Sequence, residues 1–270
     1  MSQSRILPVA YNSIQSQKFG RRVYQIQQGQ QWFWLKLQLK NSNRYYKQHF
    51  FNELNCYSEL NALETEAQPV LLNFSIFDPF QQFKIEEEVI DQALWVEDAP
   101  KLFQDLPDRL SLAEIGKRLV LSLDVLEHLH DYGYLHGDIK VEHFRVKDEK
   151  SYLIDFEQAV NIAQDANLTS ITTHTATPRY MAPELFHAQP KSFQSDIYAL
   201  GIVWLEWLTQ QRLSAKSYQD WAFLHCQQLN VVLPQQFKIF EMVLTAMLMK
   251  KIGQRCSNIY QIKQVLSQIV

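Results

Sequence analysis

The sequence predicts an α+β fold, because strand-like segments occupy its first third and helix-like segments dominate from Ser111 onward. Short runs rich in β-branched and aromatic residues indicate strands at 23–27, 32–39 and 70–77. The glutamine-rich segment 27–31 predicts the turn between the first two strands. A mainly β region followed by a mainly α region is typical of this fold class.

One amphipathic helix is predicted within the β-rich region. Over residues 45–60, four apolar side chains recur at helical spacing and leave Glu53 on a neighbouring face. These apolar positions are Phe50, Leu54, Tyr57 and Leu60.

A longer helix is predicted to begin at Ser111, because residues 111–114 form a capping-box pattern. An apolar stripe from Ile115 to Leu129 follows, and Gly133 indicates the turn that ends this helix. Two short strands are expected at 144–146 and 152–154. A hydroxyl-rich loop at 167–177 and further helices complete the predicted order.

Composition narrows the classes of partner. The 270 residues carry a formal net charge of -3, so nucleic-acid binding is not expected. Three cysteines without a CxxC pair indicate free thiols in a reducing compartment. The N-terminus lacks the pattern of a secretory signal, and the longest apolar stretch, 199–208, is interrupted by Glu206. We expect a cytoplasmic protein with no membrane partner.

The strongest chemical signal is the segment 136–143, HGDIKVEH, which is followed by Asp155-Phe156-Glu157 after two short strands. Phosphoryl transfer needs one carboxylate to orient and deprotonate the acceptor hydroxyl, and another to hold the magnesium that bridges the phosphates. Carboxylates on loops beside adjacent short strands can serve both purposes.

These motifs resemble those of the protein kinases. The resemblance continues through TPRYMAPE at 177–184 and DIYALG at 196–201, and it spans roughly residues 15–265. It implies a two-lobed fold in one kinase-like domain, with a small β-rich N-lobe over 1–88 and a larger helical C-lobe over 89–270. ATP and Mg²⁺ or Mn²⁺ are the implied cofactors.

The resemblance also implies roles for individual residues. Asp138 corresponds to the catalytic base and Lys140 to the partner of the transferred phosphate. Asp155 would bind magnesium. Lys36, in FWLK, would contact the α- and β-phosphates with Glu53 as its ion-pair partner. Without the resemblance, Lys36 and Glu53 would be interpreted as solvated surface charges.

Further positions follow from the same resemblance. Gly20 and Glu87 are assigned to nucleotide binding, and Thr177 to substrate binding through contact with the catalytic aspartate and lysine. Arg255 corresponds to an arginine that forms a structural pair with the glutamate at the position of Glu184.

The nucleotide-covering loop departs from the family pattern, because residues 16–24 contain only Gly20 where the family has several glycines. Glycines let backbone N–H groups approach phosphate closely. Lys18, Arg21 and Arg22 are alternative phosphate contacts, or ordinary surface charges.

The metal site departs as well. His143 stands in place of an asparagine that helps to hold magnesium, and imidazole favours softer ions, so we expect manganese to serve better. Bacterial kinases of the lipopolysaccharide core also have His-Phe here, so His143 is compatible with activity. Glu157 replaces a glycine and adds a carboxylate. Gly137 replaces an arginine that pairs with a phosphorylated loop, which indicates that loop phosphorylation is not required.

Three functions remain open. The first is a Ser/Thr protein kinase, which could phosphorylate itself at hydroxyls within 169–177. The second is a pseudokinase scaffold, favoured by the lost glycines, His143, Glu157, and Arg145 at a position that is usually apolar in the family. The third is a small-molecule or lipopolysaccharide-core kinase, against which the segment 177–184 argues, because it forms the protein-substrate shelf in protein kinases. Retention of Asp138, Asp155 and Lys36 favours the first.

Overall fold

The structure is a computed structural model that describes residues 5–7, 17–18, 20–77, 89–162 and 176–269. Its contacts divide the chain into two compact units. The first contains the described residues up to Leu63, those of Leu71–Pro100, and Asp155–Glu157. The second contains Glu64–Val70, Lys101–Ile154 and the described residues from Gln158 onward. The first unit thus continues beyond residue 88 and reaches Pro100.

The first unit is built on an antiparallel sheet of five strands in the order β1-β2-β3-β5-β4. The strands are β1 (Arg5–Leu7), β2 (Arg21–Gln28), β3 (Gln31–Leu39), β4 (Phe74–Phe77) and β5 (Ile90–Glu97). A tight turn joins β2 to β3, and Gly29 there has φ +65°, a conformation that glycine adopts without strain. The predicted turn at 27–31 is therefore confirmed.

Alternation along β3 decides where its lysine points. Leu35 and Leu37 are buried in an apolar cluster with Tyr24, Ile26, Ile90, Ala93 and Trp95. Because successive side chains of a strand face opposite ways, Lys36 lies on the other face of the sheet. Helix α1 (Arg44–Leu63) buries Phe50, Leu54, Tyr57 and Leu60 together with Glu53, as its spacing predicted for the apolar residues.

The second unit is mainly helical. Its helices are α2 (Leu112–Asp131), α3 (Pro183–Phe186), α4 (Phe193–Thr209), α5 (Tyr218–Phe223), α6 (Glu241–Met247) and α7 (Ile259–Ile269). The capping box predicted at Ser111 is present, with the hydroxyl and Glu114 each accepting the other's backbone N–H. Helix α4 is buried along most of its length, and Trp204 on it donates to Ser122 Oγ of α2 at 3.0 Å.

Two small antiparallel ribbons carry the loops with the sequence motifs. One pairs β6 (Tyr134–Leu135) with β9 (Val160–Asn161), and the other pairs β7 (Phe144–Lys147) with β8 (Lys150–Leu153). The segment 136–143 lies between β6 and β7, and Asp155 follows β8.

The predicted strand at 70–77 is wrong in its first half, since only Phe74–Phe77 is a strand. The backbone of Val70 has other partners: its N–H donates to the Glu64 carboxylate at 3.0 Å, and its carbonyl accepts from Leu153 at 2.9 Å. These hydrogen bonds take the place of strand pairing at Val70.

Within the described residues, no helix has the length and apolar character needed to span a membrane.

Candidate active site

In the first unit, the ammonium of Lys36 lies among three carboxylates. Its Nζ is 2.7 Å from Glu53 of α1, 2.9 Å from Asp155 and 2.5 Å from Glu157. The ion pair of Lys36 with Glu53, implied by the resemblance, is thus present. Burial favours the neutral amine, but the three carboxylates outweigh it and raise the pKa of Lys36 above its usual value.

Glu53 is the most buried of these carboxylates, with 2% of its side chain exposed. Burial raises the pKa of its carboxyl, and the ammonium of Lys36 partly offsets that increase. A glutamate in such a place is stable as an anion only while its cation remains beside it. The pair therefore fixes the direction of Lys36.

The segment Asp155–Glu157 is held through its central residue. Phe156 is fully buried and meets the Tyr57 ring of α1 edge-on, with ring centroids 5.2 Å apart. Asp155 has φ +69°, an uncommon conformation for a residue with a side chain. Asn52 of α1 donates to the Glu157 carbonyl at 3.2 Å. These contacts hold Asp155 where its carboxylate reaches Lys36.

Arg21 is buried and forms an ion pair with Glu157, so its interpretation as an ordinary surface charge is wrong. Its contact with phosphate stays a prediction. Its guanidinium also donates to Gln38 at 3.1 Å and lies over the Phe50 ring, 5.0 Å from the centroid. The signal that could have located it is the acidic Glu157 in place of a glycine, which needs a cation.

The oxygen donors of this cluster suit a hard cation. Carboxylate oxygens of Glu53, Asp155 and Glu157 all lie within 4.8 Å of one another. Magnesium prefers such ligands, so the residues present fit the ion that the resemblance implies. In the structure, all three carboxylates are directed at Lys36.

In the second unit, the carboxylate of Asp138 is held from two sides. Oδ1 accepts the backbone N–H of Thr177 at 2.9 Å, and Oδ2 lies 2.8 Å from Lys140 Nζ. Burial alone would raise the pKa of Asp138, but Lys140 and the Thr177 N–H lower it below its ordinary value. The three residues assigned to catalysis and substrate binding in this unit are therefore in direct contact.

Asp196 of α4 fixes the loop that carries Asp138. Its fully buried carboxylate accepts the backbone N–H groups of His136 at 2.8 Å and Gly137 at 3.0 Å, and it contacts His130 at 3.2 Å. Gly137 has φ +74°, and a Cβ there would lie 2.4 Å from the Gln158 carbonyl oxygen. The loop conformation therefore requires glycine at this position.

His143, assigned to the metal, is buried and stacks on His136 with ring centroids 5.3 Å apart. The Nε2–H of His136 donates to the Ile154 carbonyl oxygen at 3.2 Å. Burial and the neighbouring His143 lower the pKa of His136 to about 4, so its ring is neutral at pH 7.

The structural pair of the second unit is complete. Arg255 binds Glu184 through two nitrogens at 2.7 and 2.8 Å, and Ser195 donates to the same carboxylate at 2.8 Å. Both charged residues are buried. Planar, two-point contact of this kind is the strong form of an ion pair. The pair holds the start of α3, where the segment 177–184 ends, against the loop that carries Arg255.

The remaining predicted positions have different outcomes. Gly20 is buried with φ +72°, and its carbonyl accepts the Leu39 N–H at 2.9 Å, so it closes the end of β3. A Cβ at Gly20 would lie 2.4 Å from Ser42 Cβ. Glu87 and the hydroxyl-bearing residues at 169–175 lie outside the described residues.

Comparison with known proteins agrees with this geometry. The model of the protein kinase domain family matches residues 21–268. The chain is 35% identical over 98 residues to serine/threonine-protein kinase shk1/pak1 of Schizosaccharomyces pombe, covering 36% of this chain and 15% of that protein. It is 40% identical over 85 residues to serine/threonine-protein kinase PknD of Mycobacterium tuberculosis, covering 31% and 13%.

A third relative, serine/threonine-protein kinase PknH of Mycobacterium bovis, is 38% identical over 85 residues, covering 31% of this chain and 14% of that protein. The matches thus span about one seventh of the length of these curated relatives. The family match covers most of the chain. The chain belongs to the protein kinase family, and its β-rich and helical units are those of the α+β, two-lobed kinase fold.

Proposed function

We propose that this chain is a Ser/Thr protein kinase that transfers the γ-phosphoryl group of ATP to a hydroxyl of a protein. The observation that carries the proposal is the geometry at Asp138, whose carboxylate is held by Lys140 and by the Thr177 N–H with a lowered pKa. A carboxylate that is fixed and ionised can orient the acceptor hydroxyl and accept its proton.

During the proposed transfer, lysines of this chain would neutralise the negative charge of the ATP phosphates. The acceptor oxygen forms a bond to the γ-phosphorus while the bond to the β-phosphate oxygen breaks, and ADP leaves with the electron pair. Asp138 receives the hydroxyl proton, and Lys140 neutralises charge on the transferred group. Lys36, directed by Glu53, would bind the α- and β-phosphates.

Magnesium or manganese, when bound, would supply further neutralisation of the phosphate oxygens. Asp155 is the proposed ligand, with Glu157 as a neighbouring oxygen donor. His143 is proposed as a nitrogen ligand from its position in the family pattern alone. The proposed partner is a protein substrate. The proposed compartment is the cytoplasm, which the three free cysteines support.

A binding scaffold is the second candidate, and one observation favours it. Lys36 is already held by three carboxylates, one of which, Glu157, stands where the family has glycine. Nucleotide phosphates would have to compete with that carboxylate. The presence of Asp138, Lys140 and Lys36 favours an active kinase, because a binding scaffold needs none of these residues.

The test measures phosphate incorporation from radiolabelled ATP into the chain and into a generic basic protein, with Mg²⁺ or Mn²⁺. We expect Asp138→Asn to reduce incorporation about 100-fold or more, because it removes the proton acceptor without changing shape. The control is Asp131→Asn, an exposed aspartate at the end of α2.

If the wild type and Asp138→Asn incorporate equally little label with both ions, the scaffold is the better function. We expect higher incorporation with Mn²⁺ than with Mg²⁺, since imidazole is a better ligand of manganese. Equal rates with the two ions would remove His143 as a ligand.

A further inference from the structure

Lys191 is a buried cation to which the proposed reaction assigns no role. It immediately precedes Ser192, the N-cap of α4, and only 5% of it is exposed. Its Nζ is buried and has no hydrogen-bond partner among the described residues. Lysines are almost never buried without a partner, because desolvation of an ammonium is costly. Such a residue calls for a functional explanation.

The ammonium occupies the space beside Gly137. A Cβ added at Gly137 would lie 2.9 Å from Lys191 Nζ and 3.2 Å from its Cδ. The absent side chain of residue 137 and the long side chain of residue 191 are therefore complementary. Lys191 supplies a positive charge directly behind the residue that precedes Asp138.

A small cavity joins this charge to the proposed catalytic residues. Lys191, Gly137, Asp138, Thr177 and Asp196 all line it, and it has room for about one water molecule. The carboxylates of Asp138 and Asp196 both act on the ammonium, although burial outweighs them and lowers the pKa of Lys191. The cavity is too small for a substrate, so Lys191 acts on the chemistry only through its neighbours.

The charges in this region balance only if Lys191 is counted. Asp138 and Asp196 contribute two negative charges, and Lys140 and Lys191 contribute two positive charges. Asp196 also contacts His130, whose ring packs at a tilt against Phe193 of α4. Lys140 is the only one of the two lysines in contact with Asp138, at 2.8 Å.

We propose that Lys191 is a positioning residue for the phosphoryl transfer: its ammonium, packed behind Gly137, compensates the charge of Asp138 while Lys140 engages the transferred phosphoryl group. This inference rests on the proposed function. When Lys140 turns to the phosphoryl group, Asp138 keeps the Thr177 N–H and loses its cation. Lys191 cannot leave, because it is enclosed, and so it remains as the cation of this loop.

The test is Lys191→Met, which keeps the length of the side chain and removes its charge. We expect kcat to fall at least tenfold, the KM for ATP to stay within twofold, and Tm to be equal to or above that of the wild type. Stability should not decrease, since burial destabilises the ammonium of Lys191 by more than the charges of Asp138 and Asp196 stabilise it. A side chain with a purely structural role would give the opposite change in Tm.

Lys191→Arg retains the charge and should recover part of the lost kcat relative to Lys191→Met. The matched control is Lys216→Met, an exposed lysine for which we expect wild-type kcat and Tm. A Lys191→Met protein with unchanged kcat, or one whose kcat falls only together with Tm, overturns the inference and leaves the proposed function intact. An inactive wild type overturns both.

Discussion

The partly buried Lys36 and the buried Lys191 show two different environments for an ammonium that is withdrawn from water. Lys36 in the first unit is surrounded by three carboxylates, whereas Lys191 in the second has no hydrogen bond among the described residues. Burial opposes the charge of both. The carboxylates raise the pKa of Lys36, whereas burial outweighs the charges of Asp138 and Asp196 and lowers the pKa of Lys191.

The comparison separates stability from function. At Lys36, removal of the cation would leave the buried carboxylate of Glu53 without its partner, so the fold and the proposed ATP contact depend on the same residue. At Lys191, the fold would gain from removal of the charge, and only the proposed reaction would lose. An ionisable group whose pKa is shifted by burial, beside a proposed catalytic residue, is a candidate for a functional role.

The largest effect is expected for Lys36→Met. The variant leaves Glu53, Asp155 and Glu157 together without their shared ammonium, and we expect unfolding free energy to fall by about 3 kcal/mol. Chemical denaturation measures this. The control, Lys47→Met, removes a half-exposed pair with Asp91 and should cost less than about 1 kcal/mol. If the two variants lose equal stability, the cluster around Lys36 is not the buried network described above.

A smaller effect is expected at the Arg21–Glu157 pair. In a double-mutant cycle with Arg21→Met and Glu157→Gln, we expect a coupling energy of about 1–2 kcal/mol, because both side chains are largely buried. The exposed pair Lys117–Glu149, with 58% and 83% of its side chains accessible, provides a parallel cycle with coupling near zero. Similar coupling in the two cycles would show that Arg21 contributes no more than a surface charge.

Much of the fold could be predicted because local patterns and tertiary contacts agree. The apolar spacing of α1, the capping box at Ser111 and the apolar run of α4 each specify an element that the structure contains. The strand predicted at 70–77 is too long at its start, because the backbone N–H of Val70 donates to the Glu64 carboxylate instead of to a neighbouring strand. Such side-chain contacts with the backbone leave no periodic signal in a sequence.

The residues of the candidate site also fall into those that the sequence could predict and those that it could not. Lys36, Glu53, Asp138 and Lys140 could be located by motif, since their spacing is that of the family. Arg21 and Lys191 could not, because each owes its place to a partner position distant in sequence: Glu157 for Arg21 and Gly137 for Lys191. A glycine that creates space for a lysine 54 residues later is visible only in three dimensions.

The smallest effect, and the sharpest contrast between the two lysines, is the dependence of stability on pH. A lysine whose pKa is lowered in the folded state binds fewer protons there than in the unfolded state, so its contribution becomes more favourable as pH rises toward 10.5. The stability advantage of Lys191→Met over the wild type should therefore shrink with rising pH, by at most about 1.4 kcal/mol per pH unit.

The pH dependence of stability has the opposite sign for Lys36. Because the pKa of Lys36 is raised in the folded state, its contribution to the free energy of unfolding is lost only above pH 10.5. Between pH 7 and 9.5, the stability difference between the wild type and Lys36→Met should stay flat with respect to this lysine, while that between the wild type and Lys191→Met changes. Denaturation curves of the three proteins at each pH measure both differences. A flat profile for Lys191→Met over this range would mean that Lys191 retains its proton as firmly as Lys36, and that its charge is compensated by groups beyond Asp138 and Asp196.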